Sequence, residues 1–201
     1  MHGSRATVGR TLAMLLLAHL CGEVTVLAQA WRVNQGQVGV VCPLTVGGRF
    51  EARTTSVTGT VTLTEGSRDV NGTFVVDLRT LDTGIRLRND HLRDNYLEVA
   101  RGPGYDTAVL DAIVLAAPPP APGQSAALGF RGVLTLHGQG APVSGTAEVS
   151  HKRDHIDLKV SFPMRIDAHA IARPTYLGVG VMNQIEVTVR ATLKAAATSS
   201  P

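Results

Sequence analysis

The densest set of side chains that could take part in chemistry lies in residues 81–99, LDTGIRLRNDHLRDNYLEV, which hold three Arg, one His and four acids. An arginine guanidinium matches the geometry of a phosphate or a carboxylate. Arg88, His91 and Arg93 could therefore hold an anionic head group. The alternative is that these arginines pair with the neighbouring carboxylates on a solvated face. The sequence leaves both interpretations open.

Motifs of well-known catalytic chemistry are missing from the sequence. It contains no G-x-S-x-G, no C-x-x-C, no H-E-x-x-H and no phosphate-binding Walker loop. We therefore predict a protein that is not an enzyme, with no catalytic residue and no metal site. The alternative is an enzyme that acts on a lipid, in which His91 or His137 would be the general base.

The sequence on both sides of this stretch alternates between apolar and polar residues, which is typical of strands with one buried face. The clearest case is 183–194, NQIEVTVRATLK, in which five apolar residues alternate with polar ones. Similar runs, separated by turns rich in Gly, Pro, Asn and Asp, predict about eight strands in a sandwich or a barrel. Residues 81–99 interrupt this series, and their near-helical apolar spacing predicts a short helical lid across the sheet.

The first thirty residues have a basic start, an apolar run and a small-x-small ending at Ala30, which predict a cleavable signal peptide and a periplasmic or secreted protein. We expect this leader at 1–30, one domain at 31–195 and a flexible tail at 196–201. Cleavage would remove two of the 19 basic and one of the 16 acidic residues, so the net charge stays small. Without a basic stripe, nucleic acid is not an expected partner.

Residues 78–99, LRTLDTGIRLRNDHLRDNYLEV, resemble the signature of the YceI-like family of exported lipid-binding proteins. Residues 81–84 match its first part, and the second part is matched by Arg88, His91, Leu92, Arg93 and Leu97. Asn89 stands where the family usually has Asp, and Tyr96 where it has Phe. Similar sequence continues in LTLHGQGAPV and in LGVGVMNQIEVTVRATL, so the resemblance covers essentially the whole mature chain.

This resemblance implies an all-β, lipocalin-like antiparallel barrel whose apolar interior holds a polyisoprenoid or a similar amphipathic lipid. No cofactor is expected, although an isoprenoid-type lipid or a quinone could be bound. Transient contact with a membrane is compatible with such a ligand, and the oligomeric state stays open. The strand pattern and the resemblance together place two groups of residues at the ligand. The barrel lining would consist of Val61, Leu63, Phe74, Val76, Leu78, Phe130, Leu134, Leu136, Leu158, Val160, Phe162, Ile185, Val187 and Val189. The rim and lid would contribute Ile85, Arg88, His91, Leu92, Arg93 and Leu97.

A third interpretation is a structural or interaction module whose own side chains fill the interior. The same strands could produce either a hollow or a filled barrel. An interior volume below about 300 Å³, the small end of ligand pockets, would favour the filled module.

Overall fold

The computed structural model describes residues 28–176 and 178–196. The strands of this part of the chain are β1 (Ala28–Pro43), β2 (Arg49–Thr54), β3 (Val57–Thr64), β4 (Asp69–Asp77), β5 (Thr107–Leu115), β6 (Ser125–Leu136), β7 (Gln139–His151), β8 (His155–Arg165), β9 (Thr175–Tyr176), β10 (Val179–Gly180) and β11 (Gln184–Ala195). One short helix, α1, spans Arg86–His91. Most of the predicted signal peptide and of the predicted tail lies outside the described residues.

Eight antiparallel strand positions close into a barrel. The hydrogen-bonded order is β11-β8-β7-β6-β5-β4-β3-β1-β2, and a further pairing of β11 with β1 closes the ring. On its other edge β1 pairs with β3 at 28–32 and with β2 at 38–43, so β2 and β3 share one position. Closure pairs both edges of the long strands, and the outer edge of the short β2 has one bridge, between Arg53 and Asp82 of the lid. The predicted barrel of about eight antiparallel strands is confirmed.

The interior follows from the alternation along each strand. In β11 the side chains of Ile185, Val187 and Leu193 are buried, whereas those of Glu186 and Lys194 are exposed. Successive side chains of a strand point to opposite faces, so the polar ones remain in water. The rings of Phe130 and Phe162 meet edge to face inside the barrel, with centroids 5.8 Å apart, an arrangement that aromatic quadrupoles favour.

The barrel has two unlike ends. The lid end carries the connections 44–48, 78–106, 137–138 and 166–183, of which residue 177 is not described. The opposite end carries the connections 65–68, 116–124 and 152–154 and the outer ends of β1 and β11. We call residues 78–106 the lid. The lid contains a 3-10 turn, then α1, a π-helical turn at Leu92–Tyr96 and another 3-10 turn, so the predicted short helical segment is present.

The first described residues belong to the barrel. Ala28, Gln29 and Ala30 open β1 and pair with Thr64, Leu63 and Thr62 of β3. Cleavage after Ala30 would therefore shorten β1 by its first three residues. That cleavage site stays a prediction.

Candidate functional site

An apolar cavity of about 230 Å³ lies inside the barrel. Forty residues form its wall and none of them is charged. The wall reaches from Leu115 and Ile156 near the opposite end to Leu92 and Leu97 in the lid. The cavity is therefore long and slender, and it offers no charged partner to a ligand along its length.

The fourteen residues expected to line the barrel all lie on this wall. They are Val61, Leu63, Phe74, Val76, Leu78, Phe130, Leu134, Leu136, Leu158, Val160, Phe162, Ile185, Val187 and Val189. Phe74, Leu158 and Val160 are only partly buried although they face inward. A residue on the inner face keeps exposed surface where it borders empty space rather than another side chain. These three side chains therefore border the empty space of the cavity.

Several wall residues were missed by sequence reasoning, among them Val38, Val40 and Cys42 of β1, together with Phe50 and Tyr96. The alternation of β1 is masked by a register shift between Val33 and Gln35. Burial raises the pKa of the Cys42 thiol to about 11, while the charge of Arg88 lowers it slightly. Cys42 is therefore a protonated, apolar part of the wall at neutral pH.

Two of the three apolar lid residues lie where they were expected. Leu92 and Leu97 are on the cavity wall, and Leu97 is buried. Ile85 differs from the prediction of an inward-facing residue, because half of its side chain is exposed and it is not on the wall. The physical reason is that Ile85 precedes α1 in an extended conformation, so its side chain is not part of the helical apolar face.

Arg88 lies at the edge of the cavity. Its guanidinium carbon is 4.7 Å from the ring centroid of Phe50, and Phe50 is a wall residue. Among the described residues Arg88 has no ion pair with a carboxylate. A cation over an aromatic face keeps its donors available to an anion.

Arg93 and His91 are placed differently from Arg88. Arg93 donates a hydrogen bond of 2.6 Å from its Nη2 to the backbone oxygen of Leu81, so it fastens one part of the lid to another. His91 is exposed on α1. Of the expected ion pairs between lid arginines and acids, Arg86 and Asp90 form one at 3.9 Å. One ion pair of the solvated-face interpretation is therefore present, and the head-group interpretation stays a prediction.

Asn89 connects the start of the lid to α1. Its Oδ1 accepts hydrogen bonds from the backbone N–H (2.8 Å) and the hydroxyl (2.7 Å) of Thr83, and its amide donates to Asp82 Oδ1 at 2.7 Å. This donation, with a second from the Gly84 N–H, lowers the pKa of Asp82. An ionised Asp at position 89 could not donate to Asp82. The hydrogen bond to Asp82 therefore requires the amide of Asn89.

A second group of polar residues fastens the far end of the lid to the β6–β7 turn. His137 Nε2 lies 2.9 Å from Glu98 Oε2, and His137 Nδ1 lies 3.2 Å from the backbone oxygen of His169. Arg101 donates to the same Glu98 oxygen at 2.7 Å. The hydrogen bonds from Arg101 and His137 lower the pKa of Glu98. The ring of His137 therefore joins the lid at Glu98 to the backbone at His169.

The two histidines considered as general bases have no contact with the cavity, because neither His91 nor His137 is on its wall. Among the described residues, no three His, Cys, Asp or Glu side chains come together as metal ligands would. In the same part of the chain, no helix is long and apolar enough to cross a membrane.

A closed antiparallel barrel with an apolar bore and a lid across one end defines the chain as a small barrel of the lipocalin-like type. The family model of the YceI-like domain matches residues 28–195, so the chain belongs to the YceI-like family. The resemblance stated from the residues of the lid is thereby confirmed. No curated protein matches the sequence.

Solved structures share the fold at low sequence identity. A polyisoprenoid-binding domain of Saccharophagus degradans, implicated in plant cell wall breakdown, superimposes with a TM-score of 0.63 at 15% identity, over 84% of this chain and 99% of that one. BcnA of Burkholderia cenocepacia gives 0.61 at 16% identity, over 78% and 95%. The YceI protein of Campylobacter jejuni gives 0.50 at 12% identity, over 70% and 81%.

Proposed function

We propose that this protein is a non-catalytic carrier that holds the chain of a polyisoprenoid or a similar amphipathic lipid inside its barrel. The observation that carries the proposal is the wall of the cavity, which is uncharged from the opposite end to the lid. Each buried methylene of an apolar ligand contributes about 0.8 kcal/mol. The solved polyisoprenoid-binding domain with the same fold supports the choice of lipid class.

The volume of the cavity limits the ligand to a slender chain. At roughly 30 Å³ for each water-sized group, the 230 Å³ of the interior take about eight methylene-sized groups. A longer isoprenoid would therefore have to displace the lid or emerge beside it. Fused-ring lipids of large cross-section are poor candidates.

Arg88 supplies the polar part of the proposed site. A lipid that leaves the bore past Phe50 would bring its head group to the Arg88 guanidinium, which has no carboxylate partner among the described residues. A phosphate or a carboxylate is the head group that this side chain fits best. The basic and apolar leader of the sequence supports the further proposal that the carrier acts in the periplasm or outside the cell.

The second candidate function is an interaction module with a largely filled interior. The observation that favours it is the cavity volume of about 230 Å³, which is below the roughly 300 Å³ at the small end of ligand pockets. The two candidates differ in one measurable property, which is whether the bore takes up a chain.

The experiment compares two tryptophan variants on neighbouring positions of β8. Val160→Trp fills the bore, whereas Lys159→Trp places the same ring on the outer face, where Lys159 pairs with Glu148. Lipids extracted from the purified protein would be identified by mass spectrometry, and binding of fluorescent polyprenyl and quinone probes would be titrated. The carrier predicts bound lipid and a probe affinity that Val160→Trp lowers at least tenfold and Lys159→Trp leaves unchanged. Empty protein and no probe binding in the wild type would contradict the carrier and favour the filled module.

A further inference from the structure

The large apolar side chains that the described residues leave exposed all lie at the lid end. Val46 is 70% exposed in the connection between β1 and β2, Ile85 and Leu87 are 50% and 64% exposed in the lid, and Met182 is 49% exposed before β11. Single exposed apolar side chains are normal on a protein surface. Their confinement to one end of a barrel instead indicates an interaction surface.

Backbone contacts bring two of the segments that carry these side chains together. The N–H of Met182 donates to the oxygen of Pro43, and the N–H of Thr45 donates to the oxygen of Gly180, both at 2.8 Å. Leu44 and Val181 form a bridge between the same two connections. Val46 and Met182 therefore belong to one continuous part of the surface.

The lid adjoins the same surface through Arg88. The guanidinium of Arg88 lies over Phe50, and Phe50 pairs with Cys42 of β1 beside the connection that carries Val46. Leu87 is the neighbour of Arg88 in α1. We call the surface formed by Val46, Ile85, Leu87 and Met182 the apolar rim.

The segments of the apolar rim are rich in arginine. Residues 44–50, 85–88 and 171–182 contain four arginines and no acid; the arginines are Arg49, Arg86, Arg88 and Arg173. Arg49 and Arg173 are exposed. In the described residues Arg86 forms an ion pair with Asp90, at 3.9 Å. The other acids next to these segments are Asp82 and Glu51, and Glu51 pairs with Arg53. Apolar side chains on a surface with an excess of arginines match the surface of an anionic bilayer.

The apolar rim also lies at the mouth of the cavity. Cys42, Phe50 and Val181 belong to the rim segments or adjoin them, and all three are on the cavity wall. A bilayer in contact with the rim would therefore lie next to the bore, and a lipid chain would pass between them without crossing water.

We propose that the lid end docks on an anionic lipid bilayer through the apolar rim, and that the bore exchanges its lipid with the membrane there. The exchange rests on the proposed carrier function, whereas the docking does not. Each arginine near an anionic surface strengthens binding by roughly fivefold, and salt screens this term. Insertion of three apolar side chains accounts for at least a further tenfold.

The test is co-sedimentation of the purified protein with vesicles of equal parts phosphatidylglycerol and phosphatidylcholine, compared with vesicles of phosphatidylcholine alone. The first variant, Val46→Asn/Leu87→Asn/Met182→Asn, removes apolar side chains without changing the charge. The second, Arg49→Gln/Arg173→Gln, removes two charges from the rim. Its matched control, Lys152→Gln/Arg153→Gln, removes two charges from the exposed turn at the opposite end.

Docking predicts binding to the anionic vesicles that weakens at high salt, falls at least tenfold in each rim variant and stays unchanged in the control. Equal losses in the rim and control variants would reduce the effect to net charge and overturn the proposal. The absence of vesicle binding by the wild type would overturn it too, as would rim-dependent dimerisation in sedimentation velocity without vesicle binding.

A separate measurement distinguishes docking from the carrier function. Binding of a soluble polyprenyl probe in the absence of vesicles should be the same in the triple Asn variant and in the wild type. Vesicle binding without probe binding would support docking and contradict the carrier, and the reverse result would support the carrier and contradict docking.

Discussion

The two ends of the barrel are covered in different ways. At the opposite end Trp31 is buried and meets the ring of His151 edge to face, with centroids 5.4 Å apart. His151 Nδ1 in turn bonds the backbone oxygen of Pro120, at 2.9 Å. At the lid end the cover is a long connection held by polar side chains, with apolar residues left exposed around it.

This difference leads us to expect that the opposite end stabilises the fold and that the lid end opens for the ligand. A buried tryptophan packed on His151 has large apolar contact area and little freedom. The lid buries Leu78, Leu81 and Leu97, but its outer part is held by hydrogen bonds and exposed ion pairs, which contribute much less per contact. We therefore expect substitutions at the opposite end to change global stability, and substitutions at the lid end to change lid opening and ligand binding.

The largest expected effect is that of Trp31→Ala. Removing a buried tryptophan costs about 3 to 5 kcal/mol of unfolding free energy, which urea denaturation would measure. Leu87→Ala, at an exposed position of the lid, is the control and should change stability by less than about 0.5 kcal/mol. Similar losses in both variants would contradict the division of roles between the two ends.

Arg88→Ala tests the ligand side of the comparison. A phosphorylated isoprenoid should lose about 1.5 to 3 kcal/mol of binding free energy, the range of a charge-assisted hydrogen bond. A neutral quinone of equal length should lose much less. Arg86→Ala is the matched control, because its side chain is 96% exposed and stands beside Asp90. Equal losses for both ligands in isothermal titration would show that Arg88 only orders the lid.

Asn89→Asp should loosen the lid by about 1 kcal/mol at neutral pH, since the amide donor to Asp82 is replaced by a second carboxylate. Amide hydrogen exchange of residues 82–91 should become faster while that of β6 and β7 stays unchanged. The loss should shrink in acid, where one of the two carboxyls takes up a proton and donates again. A uniform increase of exchange through the barrel would speak against a local effect.

The smallest effect is expected from the pH dependence of Glu98. The Arg101 guanidinium, followed by His137, holds the pKa of this carboxyl below its usual value of 4.5. The ionised form therefore stabilises the lid above that pH, and the contribution is lost as the pH falls through the lowered pKa. NMR shifts of the amides of residues 97–102 should follow this titration in the wild type and not in Glu98→Gln. An unchanged acid transition in the variant would assign it to another carboxyl.

Much of the barrel could be predicted from the sequence, because a strand's alternation is a local property. In 185–194 every second residue is apolar, and the inward set is fixed once the strand is given. The same rule applied to the other strands placed Phe74, Val160 and Phe162 on the wall. It failed for β1, where the register shift after Val33 changes which residues face inward.

The arrangement of the lid could not be predicted in the same way. The spacing of Leu92 and Leu97 showed an apolar face, but it did not exclude Ile85, which lies just before the helix begins. The acids near Arg88 and Arg93 suggested ion pairs, whereas Arg93 binds a backbone oxygen. A flexible charged side chain chooses among many partners, and its choice depends on the backbone that surrounds it.

The sequence by itself determined the strand pattern, the apolar character of the interior and the position of the lid in the chain. Only the tertiary structure decided which distant residues meet, because the pairing of the strands sets which connections are neighbours at each end of the barrel. Glu98 reaches His137 across 39 positions of the chain, and Val46 comes to lie on the same surface as Met182 through pairing of their connections. Such contacts carry no signal in local periodicity, since they arise from the order in which the strands pair around the barrel.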